Sequence, residues 1–119
     1  AESPAESSAL LAAKGRLFYV HSNDNTGEGV DWDMISGTVH FWHWLELLHT
    51  LDRAGYVGWV GGDIAVKHMG PGEAYDVNTR MLERMAALLE RMGPDTIDRL
   101  VADNNPARTF DHLSRCLVE

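Results

Sequence analysis

Residues 21–34, HSNDNTGEGVDWDM, crowd one imidazole (His21), three amides or carboxylates (Asn23, Asp24, Asn25) and two further aspartates (Asp31, Asp33) into a stretch with no hydrophobic period. A further carboxylate, Asp63, follows the apolar run YVGWVGG. Carboxylates and an imidazole gathered at one place repel or raise each other's pKa unless a cation lies between them. A divalent metal removes that conflict, and mixed oxygen and nitrogen donors suit Mn, Co, Mg or Zn. Spacing alone leaves a second reading open, because Asn, Asp and Gly are also the residues of a solvated turn.

The elements that would position these groups can be read from punctuation and period. Ser3-Pro4 predicts a helix N-cap and first turn, running through AESSALLAA to a stop at Gly15. RLFYVH, residues 16–21, reads as a buried strand, and YVGWVGG, residues 56–62, as a second one interrupted by Gly58. Between them Phe41, Trp44, Leu45, Leu48 and Leu51 recur at helical spacing over about residues 38–54, and Gly55 ends that helix. GPGE opens a long helix whose stripe of Val77, Met81, Met85, Leu88 and Met92 faces a core. Gly93-Pro94 breaks it, and helices over about 95–102 and 106–118 finish the chain. Helix, strand, loop, helix, strand, loop, helix is the order of parallel β/α units. In such units functional groups gather where strands end, which is where His21, Asn23, Asp24 and Asp63 fall. Two parallel strands make a poor sheet by themselves, so the order implies either a piece of a larger β/α protein or strands borrowed from other copies.

Composition narrows the function classes. The 119 residues are 45% hydrophobic and 24% charged, the profile of one globular domain. Ten Lys and Arg against eighteen Asp and Glu leave a formal charge of −8, which argues against a nucleic-acid partner held by a basic surface. The N-terminal stretch resembles neither a secretory signal nor a membrane span. The single cysteine, Cys116, cannot form an internal disulfide and reads as a small buried hydrophobe, so a cytoplasmic protein without a membrane partner is expected.

GRLFYVHSNDN, VDWDMISGTVHF, GYVGWVGGDI and the helix DVNTRMLERM resemble, in that order, the last two β/α units of the xylose-isomerase-like TIM barrels, nearest to the L-rhamnose isomerase and related sugar isomerase group. The resemblance spans about residues 1–92 and implies an α/β fold, an incomplete part of a (β/α)8 barrel. It implies a segment of a divalent-metal-dependent isomerase that interconverts aldose and ketose monosaccharides by hydride shift, with Mn the leading cofactor. Carried over by position, His21 and Asp63 resemble ligands of the metal that holds substrate hydroxyls, and Asp31 and Asp33 ligands of a second, catalytic metal. His21 stands where xylose isomerases proper have an aspartate, which turns the resemblance away from xylose as substrate. Asp31 or Asp33 would tune the water that moves the proton between sugar oxygens. Lys67 is either a donor to a substrate oxygen or a surface lysine, and Asn23 and Trp32 are placed to touch the sugar. The group's remaining ligands lie on earlier strands, so the chain is expected to be inactive alone, with the remaining barrel strands on another chain or in a lost segment, and to form a homo-oligomer. The same barrel group includes sugar epimerases and metal-dependent AP endonucleases, and a non-catalytic self-assembling fragment is the alternative outside enzymes. The other residues read as packing: His40 and His43 as helix-start residues, Trp59 as core, and His49, His68 and His112 as surface or helix-end positions.

Overall fold

A computed structural model describes residues 3–27, 33–67 and 69–118. The order is α1 (Pro4–Ala13), β1 (Tyr19–Ser22), α2 (Phe41–Arg53), β2 (Trp59–Gly62), α3 (Pro71–Met92), α4 (Pro94–Asp103) and α5 (Pro106–Val118). The Ser3 hydroxyl accepts from the Glu6 N–H at the start of α1, as a helix cap should. β1 begins three residues later than the apolar run does, at Tyr19, and pairs in parallel with β2. The register sets Tyr19 opposite Trp59, Val20 opposite Val60, His21 opposite Gly61 and Ser22 opposite Gly62.

This architecture overturns the barrel expectation. The described residues form five helices and a two-stranded parallel sheet, and two strands cannot be two β/α units of a barrel. A barrel strand is paired along both edges, whereas among the described residues each strand has a single partner. The motif order reports how neighbouring strands are joined, and a parallel pair with one crossover helix satisfies it as well as a barrel does.

Among the described residues, one face of β1 is covered. Val20 and Ser22 are buried and alternate with exposed Tyr19 and His21. Val20 joins Trp44, Leu45, Leu47 and Leu51 of α2, Met85 and Met92 of α3, Ile97 of α4 and Leu113 of α5 in a single core. Trp59 is therefore not a core residue: it is 78% exposed, next to Val57 at 97% and Phe18 at 74%. An apolar strand sequence shows that a face can be buried and does not show that a neighbour exists to bury it. His49, expected at the surface, is 7% exposed, and its Nε2–H donates to Asp98 of α4 at 2.7 Å. Arg53 Nη2 donates to the other oxygen of the same carboxylate, so Asp98 joins the end of α2 to α4. The His49 hydrogen bond first, then the Arg53 one, hold the Asp98 carboxyl below its usual range. Cys116 is half-buried against the core.

The sheet is locked to α3 by one amide. Asn78 is 1% exposed; its Nδ2 donates to Ser22 Oγ at 3.1 Å and its Oδ1 accepts from the Ser36 N–H at 2.9 Å. That pair of bonds fixes the loop before α2 over the end of β1. Replacing Asn78 with Leu removes both bonds and leaves the buried Ser36 N–H without its acceptor, which costs about 1–3 kcal/mol for that group alone. The urea midpoint of Asn78→Leu should fall accordingly, and an unchanged midpoint would show that the amide does not hold the sheet.

Candidate metal rim at the strand ends

The two parallel strands end side by side, and that placement alone brings distant residues together. Ser22 O accepts from the Asp63 N–H at 3.0 Å, continuing the ladder one residue past β2. His21 Nδ1 then lies 3.6 Å from Asp63 Oδ2, with both side chains mostly exposed. The Tyr19 ring meets the His21 ring edge-on at 4.9 Å on the open face of the sheet. Asn23 Nδ2 donates to Asp33 Oδ1 and to the Asp63 carbonyl, each at 3.3 Å. Trp44 Nε1–H donates to the Asn23 carbonyl at 3.1 Å, so a core residue of α2 orients the backbone that carries this amide.

Asp33 reaches the rim because the chain turns back toward β1. Met34 and Asp24 exchange backbone hydrogen bonds at 2.9 Å in an isolated antiparallel bridge, and the Asp33 carbonyl accepts from the Ala65 N–H at 2.9 Å. Asp33 takes φ of +45°, in the left-handed region that Asp and Asn tolerate better than most side chains. His21, Asn23, Asp33 and Asp63 are thus assembled at one rim. Lys67 is exposed beyond it. Asp31 and Trp32, and with them the remaining expected metal ligand and sugar contact, lie outside the described residues, as does His68.

The donor chemistry of the rim fits a divalent ion. An imidazole nitrogen and a carboxylate oxygen 3.6 Å apart can both reach one cation at bonds of about 2.0–2.2 Å. The donor number is low: no group of three or more His, Cys, Asp or Glu is placed to hold a metal among the described residues. His21 and Asp63 are the pair that would hold it, with Asp33 beside them through Asn23.

Asp24 was grouped by sequence with the rim, and the structure gives it a separate role. Its carboxylate is 3% exposed and faces the start of α2. Oδ2 accepts from the Val39 and His40 N–H groups at 2.9 Å, and Oδ1 accepts from the Asn25 N–H at 2.9 Å and from His40 Nδ1 at 2.6 Å. A carboxylate is acceptor-only, so the His40 proton on this bond sits at Nδ1. Burial alone would push the Asp24 carboxyl up, but the His40 backbone and ring bonds and the Val39 and Asn25 N–H groups together hold it below its usual range. Nothing local in the sequence marks this role, because the Asp and the helix start it holds are sixteen residues apart.

Compared with protein-family models, curated proteins and solved structures, the chain matches none. No helix of the described residues is long and apolar enough to cross a membrane.

Because the folded Asp24 carboxyl titrates below the unfolded one, its contribution to stability is present above the ordinary carboxylate pKa, about 3.9, and is lost as pH falls through the lower folded value. Asp24→Asn should therefore be less stable than the parent at neutral pH, and the difference in urea midpoint should shrink as pH drops below about 4. A difference that stays constant down to acid pH would deny Asp24 its ionised role.

Proposed function

We propose that the strand-end rim takes a divalent cation, Mn first among Mn, Co, Mg and Zn, and that the protein serves a cytoplasmic aldose–ketose isomerisation of a monosaccharide. The observation that carries this reading is the meeting of His21 from β1 with Asp63 from the end of β2 at 3.6 Å, with Asn23 bonded to Asp33 alongside. The H-x-N-D and D-x-D motifs and the strand-end aspartate support it by resemblance.

When bound, the ion supplies Lewis acidity toward two neighbouring sugar oxygens. The chain's own groups do the rest. His21 and Asp63 hold the ion. Asn23 spends its Nδ2 protons on Asp33 and Asp63, which leaves Oδ1 as an acceptor for a sugar hydroxyl. Asp31 or Asp33 would tune the water that moves the proton between sugar oxygens as hydride passes from one carbon to the next, and Lys67 would donate to a substrate oxygen. An epimerase would use the same rim and differ in where the proton goes.

A specific observation favours a second element of the reading, association of copies. Phe18, Tyr19, Val57 and Trp59 are exposed together around one face and edge of a two-stranded sheet, and such apolar surface commonly marks an interface. Two donors also leave an ion short of ligands, so a working site draws on groups beyond the described ones.

Isothermal titration with Mn tests the metal assignment. Asp63→Ala and Asp33→Ala should each weaken binding at least about tenfold, the equivalent of 1.4 kcal/mol; full affinity in both variants would sink it. If copies associate through the sheet, the thermal midpoint rises with protein concentration, and a midpoint independent of concentration contradicts association.

A further inference from the structure

Two imidazoles outside the rim share the start of α2. His40 and His43 are three residues apart, and their rings stack 5.7 Å apart at 21°. Both line a cavity of about 730 Å³ against α1, and both line a second of about 410 Å³ facing the α4–α5 junction. They stand where these two spaces meet.

The His40 ring is held from behind. Asp24, fixed by three backbone N–H groups, accepts the Nδ1 proton at 2.6 Å, so in the neutral ring the opposite nitrogen, Nε2, carries the lone pair. A carboxylate behind a histidine is the arrangement that orients metal-binding imidazoles and strengthens them as donors. His43 is exposed, and its ring lies stacked beside that of His40. Glu46, one turn further along α2, lies on the wall of the smaller cavity.

We propose that His40 Nε2 and His43 form a two-nitrogen site for an imidazole-preferring ion of the Cu²⁺ or Zn²⁺ class. The site has two protein donors, since no group of three or more His, Cys, Asp or Glu among the described residues is placed to hold a metal, and its other positions belong to water or to a ligand entering from either cavity. It differs in kind from the oxygen-rich rim. Affinity rises from Mn²⁺ to Cu²⁺ at nitrogen and oxygen donors alike, so the two sites are separated by residue, through variants of each, rather than by ion.

The test uses the full chain at neutral pH. Cu²⁺ is added and the electron paramagnetic resonance spectrum read for nitrogen hyperfine coupling, with Zn²⁺ titrated calorimetrically in parallel. The parent should show a Cu²⁺ signal coupled to two nitrogens. His43→Ala, an exposed replacement that leaves the Asp24 bonds intact, should lose one nitrogen coupling and weaken Zn²⁺ at least about tenfold. Asp24→Asn should weaken Zn²⁺ by about 10–100-fold, the range for lost carboxylate support. A double variant of the rim, His21→Ala with Asp63→Ala, should keep the two-nitrogen Cu²⁺ spectrum. Unchanged binding in His43→Ala, loss of that spectrum in the rim variant, or no Cu²⁺ bound by the parent would each overturn the site. Because the rim variant reads the two sites separately, failure of either assignment is visible without the other.

Discussion

One buried carboxylate organises the side of the fold where the two strands end. Asp24 sits just past β1, joins the returning segment through its backbone bridge to Met34, and grips the start of α2 through Val39 and His40. Three parts of the chain meet at that residue, and each carries a group of interest: Asn23 beside it, Asp33 next to its bridge partner, and His40 in its grip. Hydrogen bonds to a charged acceptor are worth about 1.5–3 kcal/mol each, so a buried carboxylate that receives four of them is a strong local constraint. An N–H-rich helix start satisfied by an acidic side chain from another element also uses the favourable end of the helix dipole.

The sheet contributes position more than stability. Two four-residue parallel strands hold few ladder bonds, and the covered face depends on Val20 in the core and on Asn78 reaching Ser22. The opposite face keeps Tyr19 and Trp59 as register partners in the open. Parallel pairing nevertheless does what an antiparallel hairpin would not: it ends both strands at the same side, so His21 and Asp63, forty-two residues apart in sequence, become neighbours.

Much of the element order was legible because its signals are local. Ser3-Pro4, Gly15, Gly55 and Gly93-Pro94 punctuate the helices, and the Met81, Met85 and Met92 stripe does face the core. What was hidden depended on distant partners. His49 reads as surface until Asp98 arrives from α4, and Trp59 reads as core because the sequence cannot say that its face of the sheet stays uncovered. Asn78 stood unmarked inside a helix, although it ties β1 to the loop before α2. The barrel expectation failed for the same reason: motif order describes how one strand leads to the next and is silent on how many strands there are. At the rim, the types of His21, Asn23, Asp33 and Asp63 were legible, whereas the diversion of Asp24 into a helix-start clamp was not.

The central claim is that the parallel strand ends form a cation site. Paramagnetic Mn²⁺ added in small fractions of an equivalent to ¹⁵N-labelled protein tests it most directly, since broadening reports proximity even when binding is weak. The account predicts that the amides of His21, Asn23, Asp33 and Asp63 broaden first, and that His21→Ala with Asp63→Ala abolishes this preference. Broadening that follows the acidic surface of the helices instead, or that is indifferent to those two replacements, would contradict it.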